Sequence, residues 1–230
     1  MRILVICPIP VEFTSCRTGL SLRDTSEILG CRTCHGSIAN VEIIALQSGP
    51  AKARAASATV AGIDALRPDL VIDSGTCAAL DGELVVNSIV IGLTCLEYDI
   101  SGTGLPVKMV PEMRLPSGFQ LLARKETQRL VRAAAELGSG LGLQVRAGAQ
   151  ACGEFFIQSV QVRETLHAVS GAVACNWETA GVFIGALRAR VPPLSLRVVS
   201  DLGDEDSLRD FRKNARRSSH ELYRFLRSGI

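Results

Sequence analysis

Three carboxylates stand where apolar segments of this chain run out. Glu12 follows the apolar run at residues 2–7 and the Pro8-Ile9-Pro10-Val11 loop. Glu178 follows a second run at 172–176, and Asp201 closes the stretch Arg197-Val198-Val199-Ser200-Asp201. An acid beside so much apolar surface must be solvated, paired or used. Put to use, one carboxyl can hand a proton to a leaving group while another activates water. Each acid alone has a plainer explanation: Glu178 suits a helix start, where the dipole favours an acid, Asp201 could cap the next turn, and Glu12 could be a solvated loop residue. What they do together depends on the elements that position them.

Residues 172–204 read as a short apolar strand, an acidic turn, an apolar helix, a break at Val191-Pro192-Pro193 and a second apolar strand. Apolar runs without alternation suit strands buried on both faces, and the helix between them predicts a βαβ unit with a parallel sheet. Glu178 and Asp201 then lie just past strand carboxyl ends, the edge at which open α/β sheets bind ligands. A buried strand over 2–7 brings Glu12, on the loop that leaves it, to the same edge. Residues 28–44 read as a hairpin turning at Ala39-Asn40. The alanine-rich stretch 51–66 reads as a helix with Pro50 in its first turn. A strand over 69–73 leads to a loop of small residues, Ser74-Gly75-Thr76-Cys77-Ala78-Ala79, followed by strands over 85–93 and 143–151. Residues 102–118, with three prolines, read as a long irregular loop, 119–137 as an amphipathic helix stopped by Gly138, and 160–169 as a helix. Near the end, a capping-box variant at Ser207–Asp210 precedes a helical stripe of Leu208, Phe211, Ala215, Leu222, Phe225 and Leu226.

With 230 residues, 47% of them apolar, and no linker-like stretch, one substantial core and a single domain over 1–230 are expected. A net charge of +2 with 21% charged residues argues for neither a nucleic-acid nor a membrane partner. The start lacks an export signal and no stretch has the length of a membrane helix, so a cytoplasmic protein with reduced thiols at its eight cysteines is expected. Cys31-Arg32-Thr33-Cys34-His35 matches a haem-attachment pattern, but it sits in the hairpin and zinc would want a second ligand pair, so strand residues account for it. The basic residues Arg209, Arg212, Lys213, Arg216, Arg217, Arg224 and Arg227 read as a solvated helix face, with an RNA or lipid contact as the alternative.

Asn176-Trp177-Glu178-Thr179-Ala180 together with Arg197–Asp201 resembles the ribose-binding and purine-protonating motifs of the nucleoside phosphorylase superfamily. The branch it is most similar to is the 5′-methylthioadenosine/S-adenosylhomocysteine nucleosidases. The resemblance implies a mixed, twisted β-sheet flanked by helices, a purine nucleoside as substrate, no cofactor or metal, and a homodimer in which the 102–118 region reaches toward the partner. It implies cleavage of an N-glycosidic bond. Asp201, held by Ser200, would protonate the purine N7, Glu12 would activate water and Glu178 would grip the ribose hydroxyls. Thr76 falls where these nucleosidases carry a serine, in the loop lining the ribose and nucleophile. Trp177 and Arg197 belong to the same binding motifs. Phe156 would stack on the purine, the backbone of Ile157 would read its edge, and Phe211 would lie over the 5′ end. Glu12 beside Cys7-Pro8-Ile9-Pro10 would repel phosphate, which favours water over phosphorolysis, and an aspartate at 201 favours a 6-aminopurine. A phosphorylase or futalosine-type hydrolase is the alternative among enzymes, and a nucleoside-binding protein the alternative outside them. Two departures stand out: Asn176-Trp177 where relatives read Glu-Met, and Pro50-Ala51 on the 5′ side.

Overall fold

The computed structural model describes residues 1–24, 27–99 and 124–230. In chain order these form β1 (Arg2–Cys7), α1 (Pro10–Gly19), β2 (Arg23–Asp24), β3 (Thr33–Ile38), β4 (Val41–Gln47), α2 (Lys52–Leu66), β5 (Leu70–Ala79) and β6 (Ile89–Glu97). Then follow α3 (Arg124–Leu141), β7 (Val145–Cys152), α4 (Val160–Ser170), β8 (Ala174–Asn176), α5 (Thr179–Arg188), β9 (Pro193–Asp201) and α6 (Ser207–Gly229). The strands join one mixed sheet in the order β2-β3-β4-β1-β5-β8-β7-β6-β9, and β9 also pairs with β5. That last pairing closes β5, β8, β7, β6 and β9 into a ring, from which β1 to β4 extend as an open wing.

The apolar run of β1 shows why the sheet is covered on both sides. Ile3, Val5 and Cys7 pack with Phe13 of α1 and with Leu222 and Tyr223 of α6. Leu4 and Ile6, pointing the other way, pack with Ala55 and Ala58 of α2 and Val182 of α5. Alternate residues of one strand thus serve two cores, which is why no polar alternation appears in the sequence. On the wing, β3 and β4 pair antiparallel around Ala39-Asn40. Cys34 is buried there while its neighbour His35 faces solvent, as the period of a strand requires.

Several elements differ from the sequence expectations. Pro10 and Val11, expected in the loop after β1, open the helix α1, with Pro10 at its first position, where a missing N–H costs nothing. Glu12 therefore stands in the first turn of α1. Ser74–Ala79 is not a loop but the second half of β5, held on both sides by β9 and β8. The predicted βαβ unit does not pair in parallel: β9 runs beside β5, whereas the three-residue β8 pairs antiparallel with the end of β5 and parallel with β7. Strand β6 runs from Ile89 to Glu97, four residues later than expected, and α3 continues past Gly138 to Leu141. Helix α2 begins at Lys52, after Pro50 and Ala51. Ser207 makes no capping box; Asp206 is the N-cap and makes no side-chain cap bond. The loop expected over 102–118 and the start of the helix expected from 119 lie outside the described residues. Among the described residues no helix is long and apolar enough to cross a membrane.

Candidate active site

A cavity of about 360 Å³ opens at the carboxyl ends of β1, β5, β8 and β9. Glu12, Glu178 and Asp201 all line it, from α1, the start of α5 and the end of β9. Thr76, Phe156, Ile157, Trp177, Ser200 and Phe211 line it too, so nine of the ten residues singled out in the sequence share one space. Arg197 is the exception. It is 1% exposed and lies behind the cavity wall, paired with Asp73 and Glu178. A guanidinium in β9, flanked by carboxylates on two neighbouring elements, is held by them and does not line the cavity.

Each acid is held differently. One oxygen of Glu12 accepts hydrogen bonds from the Thr76 backbone N–H and hydroxyl, both at 2.8 Å, and the other accepts one from the Ile9 N–H at 3.1 Å. This approach requires Gly75: a Cβ there would stand 2.8 Å from the Glu12 Oε1, and its φ of +147° is one that other residues avoid. Glu178 is the N-cap of α5. Its Oε1 accepts from the Ala51 N–H at 3.1 Å and its Oε2 from the Arg197 Nη1 at 3.1 Å. Ala51 adopts φ 83° and ψ 155°, a region that glycine tolerates and a Cβ does not. The turn that carries Glu178 is fixed by Asn176, whose Oδ1 accepts from the N–H groups of Glu178 at 3.0 Å and Thr179 at 2.9 Å. The amide thereby satisfies the first N–H groups of the helix and passes its Nδ2–H to Gln150 Oε1 at 2.6 Å.

Asp201, 2% exposed, is held by its own neighbours in sequence. Ser200 donates its hydroxyl to Asp201 Oδ2 at 2.8 Å, and the Gly203 N–H reaches Oδ1 at 3.4 Å. Cys77 and Ala78 of the small-residue segment, with Cys175, which no motif marked, line the same cavity. Burial pushes the Asp201 carboxyl up to about 6 against the pull of Ser200 and Gly203. Burial also pushes Glu12 up to about 7, with Arg197 opposing and Glu178 adding to the rise. Glu178 is raised for the same main reason. Two carboxyls that change charge near neutral pH, on different walls of one cavity, can serve as proton donor and proton acceptor.

The roof is aromatic. Phe156 meets Trp177 edge-on with ring centroids 6.2 Å apart, and meets Phe211 at 6.4 Å. Its loop is held from below by Tyr98, whose hydroxyl donates to the carbonyls of Gly153 at 2.9 Å and Phe155 at 2.6 Å. Lys52 joins the same support: its ammonium pairs with Glu97 at 2.9 Å and Asp99 at 2.6 Å, and its N–H donates to Glu154 at 2.8 Å. Leu208 and Phe211 were expected in the apolar stripe of α6. They leave that stripe and face the cavity, while Ala215, Leu222, Phe225 and Leu226 reach the core. Among the described residues no group of three or more His, Cys, Asp or Glu side chains is arranged to hold a metal ion.

The family model described as the phosphorylase superfamily matches residues 2–230. The chain is 28% identical over 209 residues to a protein named 5′-methylthioadenosine/S-adenosylhomocysteine nucleosidase from Bacillus subtilis, covering 90% of this chain and 88% of the relative. An equally named protein of Bacillus velezensis matches to the same extent. Among solved structures, the Helicobacter pylori nucleosidase of that name with butyl-thio-DADMe-Immucillin-A superimposes with a TM-score of 0.83 at 22% identity, covering 99% of this chain and 97% of that one. The native futalosine hydrolase of the same organism gives 0.82, also at 22% identity, covering 99% and 96%.

Proposed function

Because this chain belongs to the phosphorylase superfamily, we propose that it hydrolyses the N-glycosidic bond of an adenine-bearing, 5′-modified nucleoside and releases the free base. The observation that carries the reading is the convergence of Glu12, Glu178 and Asp201 on one cavity under an aromatic roof. The names of the Bacillus relatives support the choice of substrate class.

Breaking a ribosyl C–N bond passes through a cation-like sugar, with negative charge building on the departing purine. Asp201, held by the Ser200 hydroxyl, gives its proton to the purine N7 so that the base leaves neutral. Glu12 takes the proton of the attacking water, and Thr76 and Ile9 fix its orientation. Glu178 accepts from the ribose hydroxyls while Arg197 and Ala51 hold it in place. Phe156 stacks on the purine, the Ile157 backbone meets its edge, and Trp177 covers the ribose. Phe211 covers the 5′ end together with Leu208. The logic is that of an inverting glycosidase, an acid on one side of the sugar and a base-activated water on the other.

Water is favoured over phosphate by the same geometry. Glu12 is a carboxylate where phosphate would need a cation, and the nearby arginine, Arg197, is already committed to Asp73 and Glu178. Two copies of the chain form the working unit, and it acts in the cytoplasm. The test is a phosphate-free panel of 5′-modified adenosines and inosines assayed for free base. Release from 5′-methylthioadenosine without phosphate is expected; release only on adding phosphate would assign a phosphorylase, and tight binding without release would assign a nucleoside-binding protein.

A further inference from the structure

Behind the cavity floor lies a buried polar network centred on Asp73, a residue that does not itself line the cavity. Asp73 of β5 is fully buried and accepts four hydrogen bonds. The Arg197 guanidinium grips it with two nitrogens, Nε on Oδ2 at 3.0 Å and Nη2 on Oδ1. The Thr179 hydroxyl donates to Oδ2 at 2.6 Å and the Ser195 hydroxyl at 2.7 Å. Ser195 also accepts from Gln150 Nε2 at 3.0 Å, and Gln150 takes up Asn176 of the Glu178 turn. The remaining face of Arg197 is turned the other way: Nη1 donates to Glu178 Oε2 and to the Thr76 carbonyl, both at 3.1 Å. Side chains of β9 and α5 thus meet on one carboxylate of β5 that does not line the cavity.

We propose that Asp73 is a positioning residue: its two-pronged grip, backed by the Thr179 and Ser195 hydroxyls, fixes Arg197 beneath Glu178 and neutralises the side of the guanidinium that faces away from the cavity. The inference rests on the nucleosidase reading for its consequence in catalysis, though not for its electrostatics. A free guanidinium beside Glu12 would favour the carboxylate and so weaken it as a base. With Asp73 in place, that pull is divided, and Glu12 keeps a proton affinity suited to accepting one near neutral pH. Among the described residues, the titratable and charged groups that face Glu12 are Arg197 from β9, Glu178 from the start of α5 and Tyr223 from α6. A substitution at Asp73 replaces none of the three, but it removes a charge felt directly by Arg197 and Glu178, so a change in Glu12 reports on the network.

The experiment is Asp73→Asn in the full chain, with two readouts. Titration of Glu12 by NMR on protein carrying labelled glutamate carboxyls is expected to find its midpoint lower by about one pH unit. Base release from 5′-methylthioadenosine in phosphate-free buffer is expected to show a ratio of turnover at pH 5 to that at pH 8 raised about tenfold, with KM nearly unchanged. Asp73→Glu, which keeps the charge, should restore both. An Asp73→Asn variant that loses turnover while its Glu12 midpoint stays in place, or moves upward, overturns the proposal and leaves Asp73 a purely structural residue. If Asp73→Asn does not fold, the neutral pair Asp73→Asn/Arg197→Gln replaces it, and its Glu12 midpoint should lie above that of the unmodified protein; an unmoved midpoint there also overturns the proposal. If the unmodified protein releases no base, the functional reading fails while the titration still decides the role of Asp73.

Discussion

The floor and the roof of the cavity are built on opposite principles. The floor and the network behind it are charged, buried and hydrogen-bonded: Glu12, Glu178, Arg197 and Asp73 are each at most 6% exposed and each has named donors or acceptors. The roof is apolar and partly open, with Phe155 61% exposed, Leu208 39% exposed, and Phe156 meeting its neighbours only edge to edge. A buried ionic network tolerates little displacement, because a lost partner leaves a charge without solvent. A set of ring contacts can shift by a fraction of an ångström at small cost. On the proposed function, the chemistry falls to the part of the molecule that tolerates least displacement, and the fit of the 5′ group to the part that tolerates more.

Substitutions in floor and roof should accordingly fail in different ways. The largest effect is expected at Asp201, the proton donor of the proposed reaction. Asp201→Asn keeps its shape and loses its proton, so turnover should fall by about 10²–10⁴-fold with the fold and purine binding retained, as steady-state kinetics and ligand titration would show. Glu12→Gln should lose turnover on a similar scale and also change stability in a pH-dependent way. Its folded value of about 7 lies above the ordinary 4.5, so between those pH values the folded protein keeps a proton that the unfolded chain has released. Stability then falls as pH rises through that window. Replacing the acid by an amide should remove this loss, a gain of up to about 3 kcal/mol at pH 8 and almost none at pH 4. Denaturant melts at the two pH values check it.

In the roof, Phe156→Ala should cost about 1–3 kcal/mol of purine stacking, seen as a higher KM with kcat much less affected. A kcat loss as large as that of the floor variants would erase the contrast between the two regions. The smallest effect is expected at their junction. Ala51 holds a backbone conformation suited to glycine while its N–H serves Glu178. Ala51→Gly should relieve part of a strain of about 1–3 kcal/mol, offset by about 0.4–1 kcal/mol of extra freedom in the unfolded chain. A modest rise in melting temperature with unchanged kcat is the expected result.

The two regions also differ in how far the sequence discloses them. Glu12, Glu178 and Asp201 were legible because each ends an apolar run, and strand ends converge on one edge of an α/β sheet. Phe156, Trp177 and Phe211 were legible only through the motifs around them. Asp73 was not legible at all. Its partners Thr179, Ser195 and Arg197 lie 106, 122 and 124 residues away, and nothing in a buried strand announces which of its residues faces a cation. Arg197 is another such case: the motif it belongs to put it with the substrate, while its side chain lies behind the wall, paired with Asp73 and Glu178. The closure of β9 onto β5 depends on strand order, which periodicity does not encode, and α1 was hidden by two prolines that read as a loop.

The claim that the three acids form a hydrolytic nucleoside site is tested most directly by following adenine release from 5′-methylthioadenosine in phosphate-free buffer, with the unmodified protein and Asp201→Asn side by side. The account predicts steady release by the former and near-complete loss in the latter, with binding retained. No release without phosphate, or equal release by both proteins, would contradict it.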